Sequence, residues 1–428
     1  MTPVSPQHSP LLAKELAQSH AKRSLERCKI LSTLSQMQGG IHREYLSKQH
    51  KECNRVTATW MSDAGMQTWQ DEVGNLWGRL ESTDPNAKRL IIGSHLDTVP
   101  NAGAYDGILG VLLAIEVAAL AHKLKLELPF HLDVVGFCDE EGTRFATTLI
   151  GSKALANEFD PQWLNIEDTS GVTMRQAMLD FGLTPDDFTK AALNKNQLLG
   201  YWETHIEQGP VLESVNQALG VVTAIAGAKR AMISLTGQSG HAGTTPMNLR
   251  QDSLAGCAEL TLAIEQLAKH AKNGEVATVG QIHARPGATN VIAGTTTISL
   301  DARAQNDQDL TKLLTAIQSS AEQIAKQRNL TLDWQWTHAA DAVACDEKIQ
   351  QLFASACKFN QQASPALASG AGHDAMAIAA ICPVGMLFIR SPGGISHHPA
   401  EAVIDDDVTK ALSVLYSSLV LYVKELNS

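Results

Sequence analysis

The sequence has no apolar run approaching the roughly 18 residues of a membrane span; its longest candidate, around Ile108 to Leu120, is interrupted by Glu116. A basic excess is also missing. Thirty-four Lys and Arg against 45 Asp and Glu leave a formal charge of -11, which argues against a nucleic-acid partner because phosphate binding wants a basic surface. There is no Cys-x-x-Cys pair: Cys28, Cys53, Cys138, Cys257, Cys345, Cys357 and Cys382 are odd in number and scattered. A disulfide framework or zinc knuckle is therefore not expected, and a reducing cytoplasm is. The N-terminal stretch lacks an apolar core followed by a small-residue cleavage site, so no secretory signal is read. Internal repeats and low-complexity tracts are absent too.

What is present is the composition of an ordinary soluble globular protein, 44% hydrophobic and 18% charged over 428 residues, too long for one small core and suggesting two domains, one inserted in the other. The first 40 residues read as a helix, with Leu11, Leu12, Leu16, Leu25, Ile30, Leu31 and Leu34 at roughly helical spacing before the Gly39-Gly40 break. Apolar strands and helices then alternate: KRLIIGSHLD, a helix from Gly107 to His122, PFHLDVVGFCDEE, and GSKALANEF. That alternation predicts an α/β fold with a central, largely parallel sheet covered by helices, whose ligands gather at the C-terminal ends of strands.

Near Ala228 the pattern changes. AKRAMISLTGQ, EVATVGQIHA and TTTISLDARA alternate apolar with polar residues, and amphipathic helices are read at about Gln251 to Ala271 and Asp307 to Arg328. This is an inserted α+β satellite of residues 226–338 inside a domain formed by 1–225 and 339–428. VGMLFIRS and a closing helix, Asp405 to Leu426, return to the first style.

Five stretches end in side chains that can hold a divalent metal: GSHLDTVPNAGAYDG, FCDEEGTRF, ETHIEQGP, GQSGHAGTTP and GGISHHPAE. They supply His95, Asp106, Glu140, Glu141, His205, His241 and His397. Two cations sharing one carboxylate need about five ligands plus a free base, and such a site activates water for attack on an amide-like carbon. A hydrolase is the first hypothesis. His95 and Asp97 stand two apart at a strand end and face the same way, the arrangement of a metal ligand with a carboxylate behind it. Asp106 reads alternatively as a helix N-cap. The Asp139-Glu140-Glu141 triplet closes an apolar strand, where three acids call for a cation nearby; Glu140 and Glu141 cannot both point one way, so one can ligate while the other moves the proton. His205 follows a short strand, where a structural histidine is the plainer alternative. Of His397 and His398 only one can face the site, and the Gly393-Gly394-Ile395-Ser396 turn favours His397. His241, in a flexible loop of the satellite, is suited to polarising a carbonyl. Arg303, on the polar face of its strand, could fork a carboxylate or form a surface salt bridge, and Asn290 could donate to the same ligand.

GSHLDTVPNAGAYDG, DEEGTRF, HIEQGP, SGHAGTTP, PGATNVIAG, SGAGHDA and GGISHHPAE, in this order over roughly residues 25–425, resemble the hydantoinase/carbamoylase amidase branch of the M20 metallopeptidase superfamily. The resemblance implies two divalent metals, zinc or manganese, with His95, Asp106 and His205 on one and Asp106, Glu141 and His397 on the other. It implies Glu140 as general base, Asp97 as the acid orienting His95, and His241, Asn290, Arg303 and Gln208 as substrate contacts. It implies a cis peptide just after Asp106 and a homodimer paired through the satellites, with His241 completing the partner's site. The implied reaction is cleavage of the ureido C-N bond of allantoate or an N-carbamoyl-L-amino acid. The alternatives are an aminopeptidase or dipeptidase on the same scaffold, against which His205 speaks because the peptidases have an acid there, and a non-catalytic binder of small acids. One position departs from the family: many members carry Gln where this chain has Ala228.

Overall fold

A computed structural model describes residues 9–427; the part of the expected N-terminal helix that falls on residues 1–8 lies outside them. The chain divides into two compact units. The larger runs to Thr223 and resumes at Cys345–Leu367 and from His373 onward, and the smaller comprises Ala224–Ala344 with Ala368–Gly372.

In the larger unit the strands lie in the order Gln67–Gln70, Leu76–Leu80, His131–Phe137, Arg89–His95, Leu198–Ile206, Val384–Ile389, Leu219–Ile225. The four at the centre are parallel, and antiparallel strands flank them. Every residue of His131–Phe137 and Val384–Ile389 is buried, as expected of strands covered on both faces. Ile108–Lys123 packs on this sheet with nearly every residue buried. Its one acid, Glu116, is fully enclosed, with His20 Nδ1 at 2.6 Å, Arg23 Nε at 2.8 Å and Arg27 Nη1 at 2.7 Å, all from the helix Lys14–Ser32. A carboxylate in an apolar helix thus fixes how a second helix seats against it. The N-terminal helical expectation is met only by Lys14–Ser32, because Gly39 and Gly40 and the polar stretch before them form no turn of helix. Lys48–Asp63 and the hairpin of the first two strands lie beyond the expected elements; the helix buries His50, Cys53, Asn54, Thr57 and Met61 at helical spacing, but much of that face is polar.

The smaller unit is an antiparallel sheet ordered Ile282–Arg285, Thr295–Ala304, Gly227–Thr236, Thr331–Ala340, with Val276–Thr278 alongside the second strand. Thr295–Ala304 alternates between buried and half-buried at every residue. Its buried face packs on Ser253–His270 and Asp307–Gln327, which Asp252 and Asn306 cap through their side chains. Thr331–Ala340 is an edge strand beyond those expected from the sequence, although Leu332, Trp334 and Trp336 alternate with polar residues along it, and Leu332 and Trp334 pack on the core. No helix among the described residues is long and apolar enough to cross a membrane.

Candidate metal centre and active site

The strand Arg89–His95 ends by placing His95, 2% exposed, at the carboxyl edge of the parallel sheet, and its neighbour Leu198–Ile206 places His205 beside it, also 2% exposed. Their rings lie 5.7 Å apart. The loop after His95 returns Asp106 between them. Asp106 Oδ1 is 3.1 Å from His205 Nε2 and 3.8 Å from His95 Nε2, while Oδ2 is 3.1 Å from His397 Nε2. His397 Nε2 is in turn 3.6 Å from Glu141 Oε1. One carboxylate therefore turns each of its oxygens to a different group of donors.

The candidate ligand atoms form two sets, His95–Asp106–His205 and Asp106–Glu141–His397, each within 4.8 Å of one another. Ligands about 2.0–2.2 Å from a tetrahedral cation stand roughly 3.3 Å apart, so this spacing suits a divalent ion. Asp106 Oδ1 makes no well-aligned hydrogen bond although it is buried, which is the condition of an acceptor awaiting a cation rather than a donor. Two imidazoles and a carboxylate on one side, and an imidazole and two carboxylates on the other, form a donor set that zinc or manganese accepts.

Electrostatics point the same way. Burial alone would raise the Asp106 carboxyl, but His205 and His397 hold it well below the usual range. Burial opposes charge on His95, yet Asp97, Glu140 and Asp106 raise its imidazole well above the ordinary value. Contact with Asp106 is the main reason His397 rises to about 9. Glu140 is pushed well above the carboxylate range by burial, and Glu141 to about 7 by burial and then Asp106. The cluster holds more negative charge than its own imidazoles neutralise, which is the deficit divalent cations fill.

Glycine decides whether the two sides of this site can meet. Gly107 adopts φ 69°, and a Cβ there would lie 2.3 Å from His95 Nε2. It is Gly107 that precedes the helix Ile108–Lys123, without any side-chain cap. The N-cap alternative for Asp106 is therefore set aside. The cis peptide expected after Asp106 is also corrected: among the described residues the only cis bond is Arg285–Pro286. The positive φ of Gly107 makes the turn instead, a conformation open to a residue without a side chain.

Asp97 is fully buried and faces His95 Nδ1 with its backbone oxygen at 3.1 Å and its carboxylate at 3.4 Å. Its carboxylate makes its closest bonds with the amides of Glu140 and Glu141, at 3.0 and 3.1 Å. Asp97 thus orients the glutamate turn as much as the histidine. His205 Nδ1 lies 2.9 Å from the Ile206 carbonyl, which leaves Nε2 as the nitrogen turned to Asp106. His398 turns away: its Nδ1 accepts from the Ala400 amide. Gln208, at φ 58°, donates from Nε2 to Asp106 Oδ2 at 3.0 Å.

Two residues that carry this arrangement were not singled out from sequence. Glu401, 6% exposed, accepts from the amides of Tyr105 and Asp106 at 2.9 and 3.1 Å. Ser396 Oγ lies 3.2 Å from Asp106 Oδ2 and 3.1 Å from Glu401 Oε2. Both stand inside the GGISHHPAE stretch, so the signal was present, but their partners lie some 290 positions away. Glu203, which accepts from Ser94 Oγ and the Ala375 amide, backs His205 from within the strand.

The remaining expected residues belong to the smaller unit. His241 sits on the two-residue strand Gly240–His241, paired with Val291, and is exposed. Its Nδ1 accepts from the Gly243 amide at 3.0 Å, which puts the hydrogen of a neutral ring on Nε2. Asn290 is exposed, and its carbonyl accepts from the Ala242 amide. Arg303 is half-buried and paired with Asp301.

Comparison with known proteins gives one consistent answer. Residues 91–420 match the model of Peptidase family M20/M25/M40, a metal-dependent family. The chain is 38% identical over 384 residues to N-carbamoyl-L-amino acid amidohydrolase of Geobacillus stearothermophilus, covering 90% of this chain and 94% of the relative. It is 39% identical over 413 residues to allantoate deiminase 1 of Glycine max, covering 89% and 85%. The crystal structure of a hydantoinase/carbamoylase family amidase from Burkholderia multivorans superposes with a TM-score of 0.87 at 29% identity, covering 94% of this chain and 97% of that one. On the match across most of its length, the chain belongs to Peptidase family M20/M25/M40.

Proposed function

We propose that this chain is a metal-dependent amidohydrolase that cleaves the ureido C-N bond of allantoate or an N-carbamoyl-L-amino acid. The observation that carries the reading is the convergence of His95, His205, Glu141 and His397 on the two oxygens of Asp106. The names of the relatives supply the substrate class.

In this reading His95, Asp106 and His205 hold one cation and Asp106, Glu141 and His397 the second, zinc or manganese. When bound, the pair supplies Lewis acidity that lowers the pKa of a water and polarises a carbonyl. The protein's own groups do the rest. Glu140, beside His95 and Glu141, takes the proton from the attacking water and returns it to the leaving nitrogen. Asp97 keeps His95 and the glutamate turn in place. His241 donates from Nε2 to the carbonyl oxygen as charge develops there. Arg303 and Asn290 take the substrate carboxylate, and Gln208, whose Oε1 has no partner, accepts from the ureido nitrogens. The enzyme acts as a homodimer paired through its satellites. The seven buried free cysteines fit a cytoplasmic setting.

Ammonia release from a small panel of ureido acids, with dipeptides alongside and manganese and zinc supplied separately, tests the proposal. Turnover of allantoate or an N-carbamoyl-L-amino acid is expected; turnover of the dipeptides alone would replace this reading with the peptidase one.

A further inference from the structure

Arg303 takes the substrate carboxylate in the proposed function, and the role inferred for its neighbours rests on that assignment. In the sheet register Arg303 stands across from Ala228, which is itself paired with Ala340 on the next strand. Two methyl groups offer the guanidinium no polar partner. The side chain turns instead along its own strand to Asp301, two residues back on the same face. Nε donates to Oδ1 at 2.9 Å and Nη2 to Oδ2 at 3.0 Å. This is a side-on grip. It uses one edge of the guanidinium and leaves the outer edge formed by Nη1 and Nη2, whose parallel N-H bonds match a second carboxylate. Nη1 gives one hydrogen to the Gly370 carbonyl at 2.6 Å and keeps the other.

Asp301 is held in turn. Arg230, directly across from it on Gly227–Thr236, donates from Nε to Oδ2 at 2.8 Å. Two guanidinium groups thus share one carboxylate, and the trio is one negative charge short of balance. A free monocarboxylate of a small acid has the charge and the geometry to complete it.

We propose that Asp301 is a positioning residue: it clamps Arg303 side-on so that the outer edge of the guanidinium faces the carboxylate of the ureido acid, and Arg230 keeps Asp301 in register. A salt bridge that served only the sheet would leave the preference for an acid over its neutral amide untouched.

The test uses full-length, metal-loaded protein carrying Glu140→Gln, so that bound ligand is not consumed. Calorimetry measures binding of N-carbamoyl-L-alanine and of N-carbamoyl-L-alaninamide, which differ only in the carboxylate. Asp301→Asn is expected to weaken the acid about tenfold and leave the amide unchanged, and Arg230→Gln to weaken the acid about threefold. Arg303→Ala should bind both alike. Loss of acid and amide by the same factor in Asp301→Asn, or of neither, overturns the positioning role while Arg303→Ala upholds the anchor. A parent protein that does not prefer the acid sinks the reading of Arg303 itself, and the inference with it. Circular dichroism checks that Asp301→Asn is folded; if it is not, the acid-to-amide ratio of Arg230→Gln decides.

Discussion

The two units handle their polar residues in opposite ways. In the larger unit His95, Asp97, Asp106 and His205 are almost completely buried, and each is held by further groups: Glu401 and Ser396 behind Asp106, Ile206 behind His205, the glutamate amides on Asp97. In the smaller unit His241 and Asn290 are exposed and Arg303 is half-buried. Their supports are short, a turn amide for one ring and one carboxylate with one carbonyl for the guanidinium. A metal centre needs ligands fixed to within tenths of an ångström, and burial with several partners provides that. Residues that meet a passing small acid need access more than rigidity. In the proposed reading, enclosure thus sets most of the ligand groups apart from those that greet the substrate; His397, half exposed at the rim, is the exception.

This contrast can be broken at four points. The largest effect is expected at Glu140. Glu140→Gln should lower turnover on the order of a thousandfold while elemental analysis finds the parent's metal content; near-normal activity would remove Glu140 from proton transfer. Next is Glu116, whose truncation to Ala leaves His20, Arg23 and Arg27 facing an emptied acid site. Urea unfolding should show a loss of about 3–5 kcal/mol, the cost of breaking a buried charged pair, and a loss under about 1 kcal/mol would show that the cluster is solvated.

His50 offers a pH test within the buried unit. Burial lowers its imidazole to about 4, with Asp97 opposing and Arg43 assisting. The unfolded chain takes up the proton near 6.5 while the folded protein refuses it until about 4. Stability therefore falls as pH drops through that window, by about 3 kcal/mol at its foot. Glu and Asp titrate there too, so the quantity to follow is the difference between the parent and His50→Gln in urea midpoints from pH 7 to 4. A difference that stays flat contradicts the assignment. The smallest effect is expected at the exposed face: His241→Ala should cost on the order of a hundredfold in kcat with metal content and thermal midpoint unchanged. Loss of metal there would erase the contrast between the units.

Much of this was legible from the chain alone. His95 and Glu140-Glu141 could be placed because each closes an apolar run, and such runs end at the ligand edge of a parallel sheet. Asp106 could be named because Gly107 follows it at a helix start, and His397 because the Gly393-Gly394 turn precedes it. What escaped were relations that exist only after folding. Nothing local in HHPAE says that Glu401 will accept the amides of Tyr105 and Asp106, and nothing local in Gln208 shows its amide turned onto Asp106. The helix Lys48–Asp63 is hard to read from sequence because polar residues such as His50 and Asn54 occupy its buried face. The turn after Asp106 differs from the expected cis bond for a related reason: φ belongs to the backbone, and the positive φ of Gly107 makes the bend.

The clasp between Glu401 and the Asp106 loop has a consequence for biosynthesis. A chain emerging from the ribosome exposes His95, Asp106, Glu141 and His205 long before the segment bearing Ser396, His397 and Glu401 leaves the exit tunnel. Until then the nascent polypeptide carries an open, acid-rich cup whose last wall has not been made. A product cut short before Ser396 would leave the ribosome with the His95–Asp106–His205 set complete but with neither His397 nor the Glu401 clasp that holds the Asp106 loop.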